Sequence, residues 1–140
     1  MSSFRMQTES SATEYIIVSA PNRAGKEFLS LLREKGENFL AITNNKYGKK
    51  RLEAMGVDQI LMVNTEDDRT WGAPDIRVGE VYLFELSFNL CCRYIQICKK
   101  WNPRSIHVIT KRGNTRVAYR GLGANQLTYI NNNEVEFLLT

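Results

Sequence analysis

The residues best placed to bind a phosphate lie in the segment 19–25, which has the sequence Ser-Ala-Pro-Asn-Arg-Ala-Gly. This segment begins at the end of a short apolar run, 15–20, and it opens a helical repeat of apolar residues. A turn between a strand and a helix presents free backbone N–H groups and the positive end of the helix dipole, and both attract anions. The segment therefore predicts a phosphate-binding turn.

A second frame of the same turn approximates the P-loop pattern Gly-x4-Gly-Lys-Ser/Thr, which binds a nucleoside triphosphate. In this frame Ala20 stands at the first glycine position, and Glu27 replaces the hydroxyl that would bind Mg²⁺. A carboxylate that faces a triphosphate repels it. This second frame is therefore the weaker interpretation.

Other residues with chemical potential have structural interpretations. His107 falls within an apolar strand pattern, so we expect a core or edge histidine. Asp67 and Asp68 lie in a polar segment, where we expect solvated carboxylates. We interpret the cysteines as small hydrophobic side chains within one helix, and we predict no metal site. These cysteines are Cys91, Cys92 and Cys98.

The elements that position the turn follow from the apolar pattern. Residues 15–20, Phe39–Thr43 and 59–63 are short apolar runs of the kind that form strands buried on both faces. Helical patterns lie between them, at about 24–35 and 49–55. This alternation predicts a parallel sheet with right-handed crossovers. The fold class is therefore α/β, with three layers.

The second half of the domain predicts a fourth strand, 81–84, a broad-faced helix and a fifth strand, Ser105–Thr110. The helix carries two adjoining apolar stripes between Phe84 and Trp101, and a start as early as Glu80 would remove the fourth strand. We expect a mainly parallel sheet of strand order 3-2-1-4-5.

The C-terminal residues, 116–140, predict an antiparallel β extension at the edge of the sheet. Three short β-type runs are separated by Gly- and Asn-rich turns. These runs are 116–120, 126–130 and 135–139.

The chain has room for one domain. Its 140 residues are 43% hydrophobic and 24% charged, which is typical of a globular protein. No apolar run approaches the roughly 20 residues that span a bilayer, and the Ser- and Thr-rich start has no apolar signal region. We expect a flexible tail, 1–13, and a single domain, 14–140, of a cytoplasmic protein without membrane contact. The net charge of +4 suggests an anionic partner or a solvated basic surface.

At the predicted phosphate turn the sequence resembles the NAD(P)-binding Rossmann domain of the extended and atypical short-chain dehydrogenase/reductase superfamily, especially its NmrA-like members. The three glycine positions of their Gly-x-x-Gly-x-x-Gly turn hold Ser19, Asn22 and Gly25. The resemblance covers about 15–110. It implies that Gly25 packs the helix closely on the strand and that Asn22 is the least damaging substitute for a glycine, because Asn tolerates the left-handed conformation.

The resemblance also implies the cofactor. The residues after the second strand include no Asp or Glu that could hold a ribose diol, so NADP is favoured over NAD. Lys49, Lys50 and Arg51 either assist a phosphate or form a solvated helix start. Asn64 stands where the family has a residue near the adenine. The implied cofactor-binding residues are Ser19, Ala20, Asn22, Arg23, Gly25, Thr43, Asn44, Asn45, Lys46 and Asn64.

The proton relay of the family, Tyr-x-x-x-Lys, has no counterpart in the sequence. The chain also stops where those enzymes build a substrate domain. We therefore assign no catalytic residue and expect a non-catalytic nucleotide-binding sensor or regulatory subunit.

Two other functions stay open. One is an interaction protein with a vestigial nucleotide cleft. It would form a homo-oligomer, most simply a dimer, through an edge strand at 135–139 or through the broad-faced helix. The competing arrangement is a C-terminal tail that folds back over the sheet of its own monomer. The other is a nucleic-acid-associated factor that uses the basic tail around Tyr119. The basic residues of that tail are Lys111, Arg112, Arg116 and Arg120.

Overall fold

The computed structural model describes residues 13–139, and in this part of the chain six parallel strands form one sheet in the order β3-β2-β1-β4-β5-β6. The predicted order is correct for five strands, and a sixth extends it. The predicted tail, 1–13, lies outside the described residues except for Thr13. The strands are β1 Glu14–Ser19, β2 Phe39–Thr43, β3 Ile60–Met62, β4 Arg77–Phe84, β5 Ser105–Thr110 and β6 Gln126–Tyr129.

Helices cover both faces of the sheet, because every parallel connection must cross over it. Two helices pack on one face around Phe28, and two pack on the other around Tyr94. The α-helices are α1 Arg23–Glu34, α2 Lys46–Ala54, α3 Phe88–Lys99 and α4 Arg116–Leu122.

The strands divide their side chains between two cores. In β1, Ile17 joins the core under α3 and Val18 joins the core under α1, and both are fully buried. This alternation explains why these strands are continuous apolar runs rather than alternating ones. The apolar stripe of α1 completes one core; its buried members include Ala24, Phe28 and Leu32.

The fourth strand and the broad-faced helix are separate elements. β4 extends from Arg77 to Phe84, and α3 begins at Phe88 because Ser87 caps it: the Ser87 hydroxyl oxygen accepts a hydrogen bond from Leu90 N–H at 3.2 Å. The alternative start of the helix at Glu80 is therefore wrong.

The predicted antiparallel extension, 116–140, is wrong. Residues 116–120 lie in α4, residues 126–129 form β6 parallel to β5, and Glu136–Leu139 is a 3-10 turn. Val117 and Tyr119 would share one face of a strand, but Val117 is 85% exposed and Tyr119 is fully buried, as helical spacing requires. Gly123, which falls in the predicted Gly-rich turn between two β-type runs, instead ends the helix with a φ of +123°.

The last residues fold back over the sheet of the same chain. Ile130 and Val135 are buried in the core under α1, and the Tyr82 hydroxyl donates a hydrogen bond to the Leu138 carbonyl oxygen at 3.4 Å. The predicted edge strand at 135–139 is therefore wrong, and the folded-back tail is the arrangement observed. The predicted dimer stays a prediction.

The broad apolar face of α3 is used within the monomer. Its buried residues pack in the core beneath it, which makes this face a poor candidate for a dimer interface. They are Cys91, Tyr94, Ile95, Ile97 and Cys98. In residues 13–139, none of the helices has both the length and the apolar character needed to cross a bilayer.

Two valines of the C-terminal segment test the folded-back tail. Val135 is 2% exposed, so Val135→Ala should lower the free energy of unfolding by about 1–3 kcal/mol through lost burial and a cavity. Val117→Ala is the matched control on the exposed face of α4 and should change it by less than about 0.5 kcal/mol. Urea denaturation measures both, and equal losses would contradict the observed packing of the tail.

Candidate functional site

The turn after β1 is closed by one side chain. Asn22 caps α1 with its carboxamide: Oδ1 accepts a hydrogen bond from Gly25 N–H at 2.8 Å, and Nδ2 donates one to the Glu85 carbonyl oxygen at 3.1 Å. The φ of Asn22 is −120°, which is extended backbone. The position therefore does not use the tolerance of Asn for the left-handed conformation; Asn22 instead caps α1 and links the start of that helix to the residue that follows β4.

Gly25 lets α1 approach β1 closely. A Cβ at this position would lie 2.6 Å from the Ala20 Cα, which no side chain could tolerate without a shift of backbone. The second helix begins in the same way, because Asn45 Oδ1 accepts a hydrogen bond from Gly48 N–H at 2.7 Å and a Cβ on Gly48 would overlap the Thr43 hydroxyl. The repeated Asn-x-x-Gly spacing was a sequence signal for both helix starts.

A cavity of about 230 Å³ lies over the carboxyl ends of β1 and β2. It contains two cationic side chains, Lys26 and Arg51, and its lining includes no Asp or Glu among the residues that the structure describes. The Arg51 guanidinium carbon lies 5.6 Å from the centre of the Tyr47 ring. Leu86, Leu90 and Tyr94 form the wall on the side of α3. This environment favours an anion beside an apolar surface.

Half of the predicted cofactor residues line this cavity. They are Ser19, Ala20, Thr43, Asn44 and Asn45. The cofactor-binding residues implied by the resemblance did not include Lys26 or Tyr47, and Arg51 was predicted either to assist a phosphate or to lie in a solvated helix start. These three residues reach the cavity because α1 and α2 are adjacent on one face of the sheet. Their helical spacing was visible, but the packing of the two helices was not.

The other predicted residues do not line the cavity. Asn22 and Gly25 form the turn beside it, and Arg23 and Lys46 are exposed at the starts of α1 and α2. Asn64 holds a loop instead: its Oδ1 accepts a hydrogen bond from Glu66 N–H at 3.0 Å, and its carbonyl oxygen accepts one from Trp71 Nε1 at 2.8 Å.

A second, wider groove of about 740 Å³ continues from the cavity, with which it shares Asn44 and Leu90. Most of its lining is polar, and amide side chains are prominent. The remaining residues that line it are Thr65, Glu66, Ser87, Asn89, Cys92, Arg93 and Gln96.

A buried carboxylate lies on the other side of the turn. The Glu85 side chain is 4% exposed and accepts hydrogen bonds from Thr110 Oγ1 at 2.7 Å, Arg112 Nε at 3.2 Å and the Tyr119 hydroxyl. Burial acts to raise the pKa of Glu85, but these three donors outweigh it and lower the pKa. The same contact and burial raise the pKa of Tyr119. Glu85 is therefore an ionised structural centre that links β4, β5 and α4.

The remaining chemical groups have structural roles. Burial raises the pKa of the Cys91 thiol to about 12 and also raises that of Cys98, so both stay protonated. His107 lies 2.7 Å from Glu80 Oε1 and stacks on Tyr82. In residues 13–139, no group of three or more His, Cys, Asp or Glu side chains could hold a metal ion.

Tyr119 is also relevant to the nucleic-acid hypothesis, which relied on its ring for stacking. The residue is completely buried and its ring packs against Phe88, 5.4 Å between ring centres. The Tyr119 ring therefore cannot stack on a nucleic-acid base, and this part of the hypothesis is wrong.

Comparison with solved structures supports the architecture. The TrkA-N domain of the inner membrane protein ybaL from Escherichia coli superposes with a TM-score of 0.64 at 12% identity, over 84% of this chain and 87% of that one. The NAD(P)-binding domain of an exopolyphosphatase-related protein from Archaeoglobus fulgidus gives 0.67 at 18% identity, over 84% and 88%. The chain has a Rossmann-type fold.

A third similar structure is the GsuK channel bound to NAD, with a TM-score of 0.69 at 15% identity; the match covers 84% of this chain and 21% of the channel chain. No protein-family model matches the sequence, and a comparison with curated proteins finds no relative. These neighbours support the Rossmann-type fold predicted from sequence but not the NmrA-like, short-chain dehydrogenase/reductase assignment.

The dinucleotide fingerprint of this fold, Gly-x-Gly-x-x-Gly, gives a better frame for the turn than the spacing assumed from sequence. Its three glycine positions hold Ala20, Asn22 and Gly25. Only the third glycine, which permits close packing of helix and strand, is retained. At the second position, where backbone normally approaches a pyrophosphate, the carboxamide of Asn22 is present.

The Glu85 centre predicts a pH-dependent contribution to stability. Because folding lowers the pKa of Glu85 from its ordinary value of 4.5, its carboxylate stabilises the fold above that pH, and the stabilisation is lost as the pH falls through the folded-state pKa. Glu85→Gln should lower the free energy of unfolding by about 1–3 kcal/mol at neutral pH.

Urea denaturation across the acidic range tests this expectation. The difference between Glu85→Gln and the unmodified protein should be constant above about pH 5 and should shrink as the pH falls below about 4.5. Glu136→Gln, at an exposed carboxylate, is the control. A difference that stays constant with pH would contradict an ionised Glu85.

Proposed function

We propose that this chain is a nucleotide-binding module that takes NADP at the carboxyl ends of β1 and β2 and acts as a sensor or regulatory unit. The observation that carries the proposal is the cavity that contains Lys26 and Arg51 without a carboxylate in its described lining. A phosphate requires such a positive site, and a Rossmann-type fold binds nucleotides at this edge of its sheet.

The end of β2 favours NADP over NAD. In this fold an acidic residue after β2 accepts hydrogen bonds from the ribose diol of NAD, whereas a nearby arginine accommodates the 2′-phosphate of NADP. Here β2 ends with Thr43 and is followed by Asn44 and Asn45, while Arg51 faces the same cavity from α2. The Arg51 guanidinium also lies over the Tyr47 ring, and this cation–π contact favours a position of the guanidinium beside the cavity.

The ionisable groups of the cavity are suited to binding. Lys26 and Arg51 supply positive charge, and burial raises the pKa of Tyr94, so that its hydroxyl stays protonated. The neighbours add indirect support, since one was solved bound to NAD and another is an NAD(P)-binding domain. A regulatory role, a homodimer and a cytoplasmic location are further parts of this proposal. Because the edge segment and the α3 face are buried within the monomer, the dimer would form through another surface.

Isothermal titration with NADP and NAD tests the proposal. NADP should bind at least about tenfold more tightly than NAD, because one charge-assisted contact to a phosphate contributes about 1.5–3 kcal/mol. Arg51→Gln should remove most of this preference.

Lys50→Gln provides the matched control, because Lys50 is exposed on the same helix and does not line the cavity. It should leave the preference unchanged. Failure of both dinucleotides to bind, or equal binding of NAD and NADP, would contradict the proposal.

A further inference from the structure

We infer that the site recognises only the nucleoside 2′-phosphate half of its ligand, and that the nicotinamide half is not held by the protein. This inference rests on the proposed function and names the part of the nucleotide that supplies the affinity. It derives from a closed crevice on one side of the phosphate turn and an open cavity on the other.

The crevice between β1 and β4 is the place where the strand order reverses, and open α/β sheets bind ligands across such a point. In this chain Asn22 spans it. The carboxamide is held at both ends, by Gly25 N–H and by the Glu85 carbonyl oxygen. Glu85 is in turn held by donors on β5, on α4 and in the segment between them. A dinucleotide that crossed here would have to displace this bridge.

The same side chain competes with a pyrophosphate for its donors. A phosphate at a helix start is bound by the first free backbone N–H groups. The Gly25 N–H already donates to Asn22 Oδ1 at 2.8 Å. Pyrophosphate binding would therefore break two hydrogen bonds of Asn22, the one that caps α1 and the one that links the turn to the end of β4. The ligand would have to replace both.

The open side of the turn offers separate places for a phosphate and a base. The cavity of about 230 Å³ opens there into the groove of about 740 Å³. Lys26 and Arg51 provide for a phosphate, and the adjoining groove offers the amides of Asn44, Asn89 and Gln96 to the polar edge of a base. A ribonucleoside 2′-phosphate has these two features, one on each side of its ribose.

Isothermal titration of the unmodified protein with NADP, adenosine 2′-monophosphate and nicotinamide mononucleotide tests the inference. Adenosine 2′-monophosphate should bind within about threefold of NADP, and nicotinamide mononucleotide should not bind at millimolar concentration. If NADP binds more than about tenfold more tightly than adenosine 2′-monophosphate, the inference is wrong while the proposed function stands. If neither binds, both are wrong.

The variant Asn22→Gly tests the cause. Removal of the bridge should open the crevice and raise the affinity for NADP relative to adenosine 2′-monophosphate at least about fivefold. Asn125→Gly is the control, because it removes an asparagine whose Oδ1 accepts a structural hydrogen bond from Ile106 N–H away from the cavity. If Asn22→Gly folds and the ratio of its affinities for NADP and adenosine 2′-monophosphate is unchanged, the role assigned to Asn22 is wrong. If this variant does not fold, the titrations of the unmodified protein decide the inference.

Discussion

The carboxamide of Asn22 connects the start of α1 to the carboxyl end of the central strand β4. Its oxygen accepts a hydrogen bond from the Gly25 N–H in the first turn of α1, and its nitrogen donates one to the Glu85 carbonyl oxygen after β4. One side chain therefore fixes the start of the helix relative to the centre of the sheet. Gly25 makes this arrangement possible, because only a residue without a Cβ lets α1 lie so close to Ala20. The shape of the cavity follows, since the open space remains on the β1–β2 side of this bridge.

The Glu85 carboxylate extends the same connection toward the C-terminal part of the chain. A buried charge is costly unless it is hydrogen-bonded, and Glu85 satisfies this requirement with donors from Thr110, Arg112 and Tyr119. The position of α4 therefore depends on the end of β4, which Asn22 contacts through the backbone. Hydrogen bonds to the backbone and to the side chain of Glu85 thus connect the phosphate turn to the last helix.

The sequence predicts the parallel sheet because each of its inner strands contains a short apolar run, and β1, β2 and β5 occur where the runs predict them. The tail could not be predicted in the same way. The spacing of Val117 and Tyr119 fits a strand face as well as it fits two sides of a helix, and only burial distinguishes them. Half of the cofactor-binding residues predicted from the sequence line the cavity. Residues at strand ends follow from the order of elements, whereas Lys26 and Arg51 converge only through the packing of two helices.

A two-dimensional ¹⁵N–¹H NMR titration with NADP tests the central claim most directly, since it locates the ligand on either side of the Asn22 bridge. We predict chemical-shift changes centred on Asn44, Gly48 and Arg51, with the amides of Gly25 and Glu85 little affected. Changes centred on Gly25 and Glu85, with little effect at Gly48 and Arg51, would show that the ligand crosses the crevice between β1 and β4 and would contradict the account.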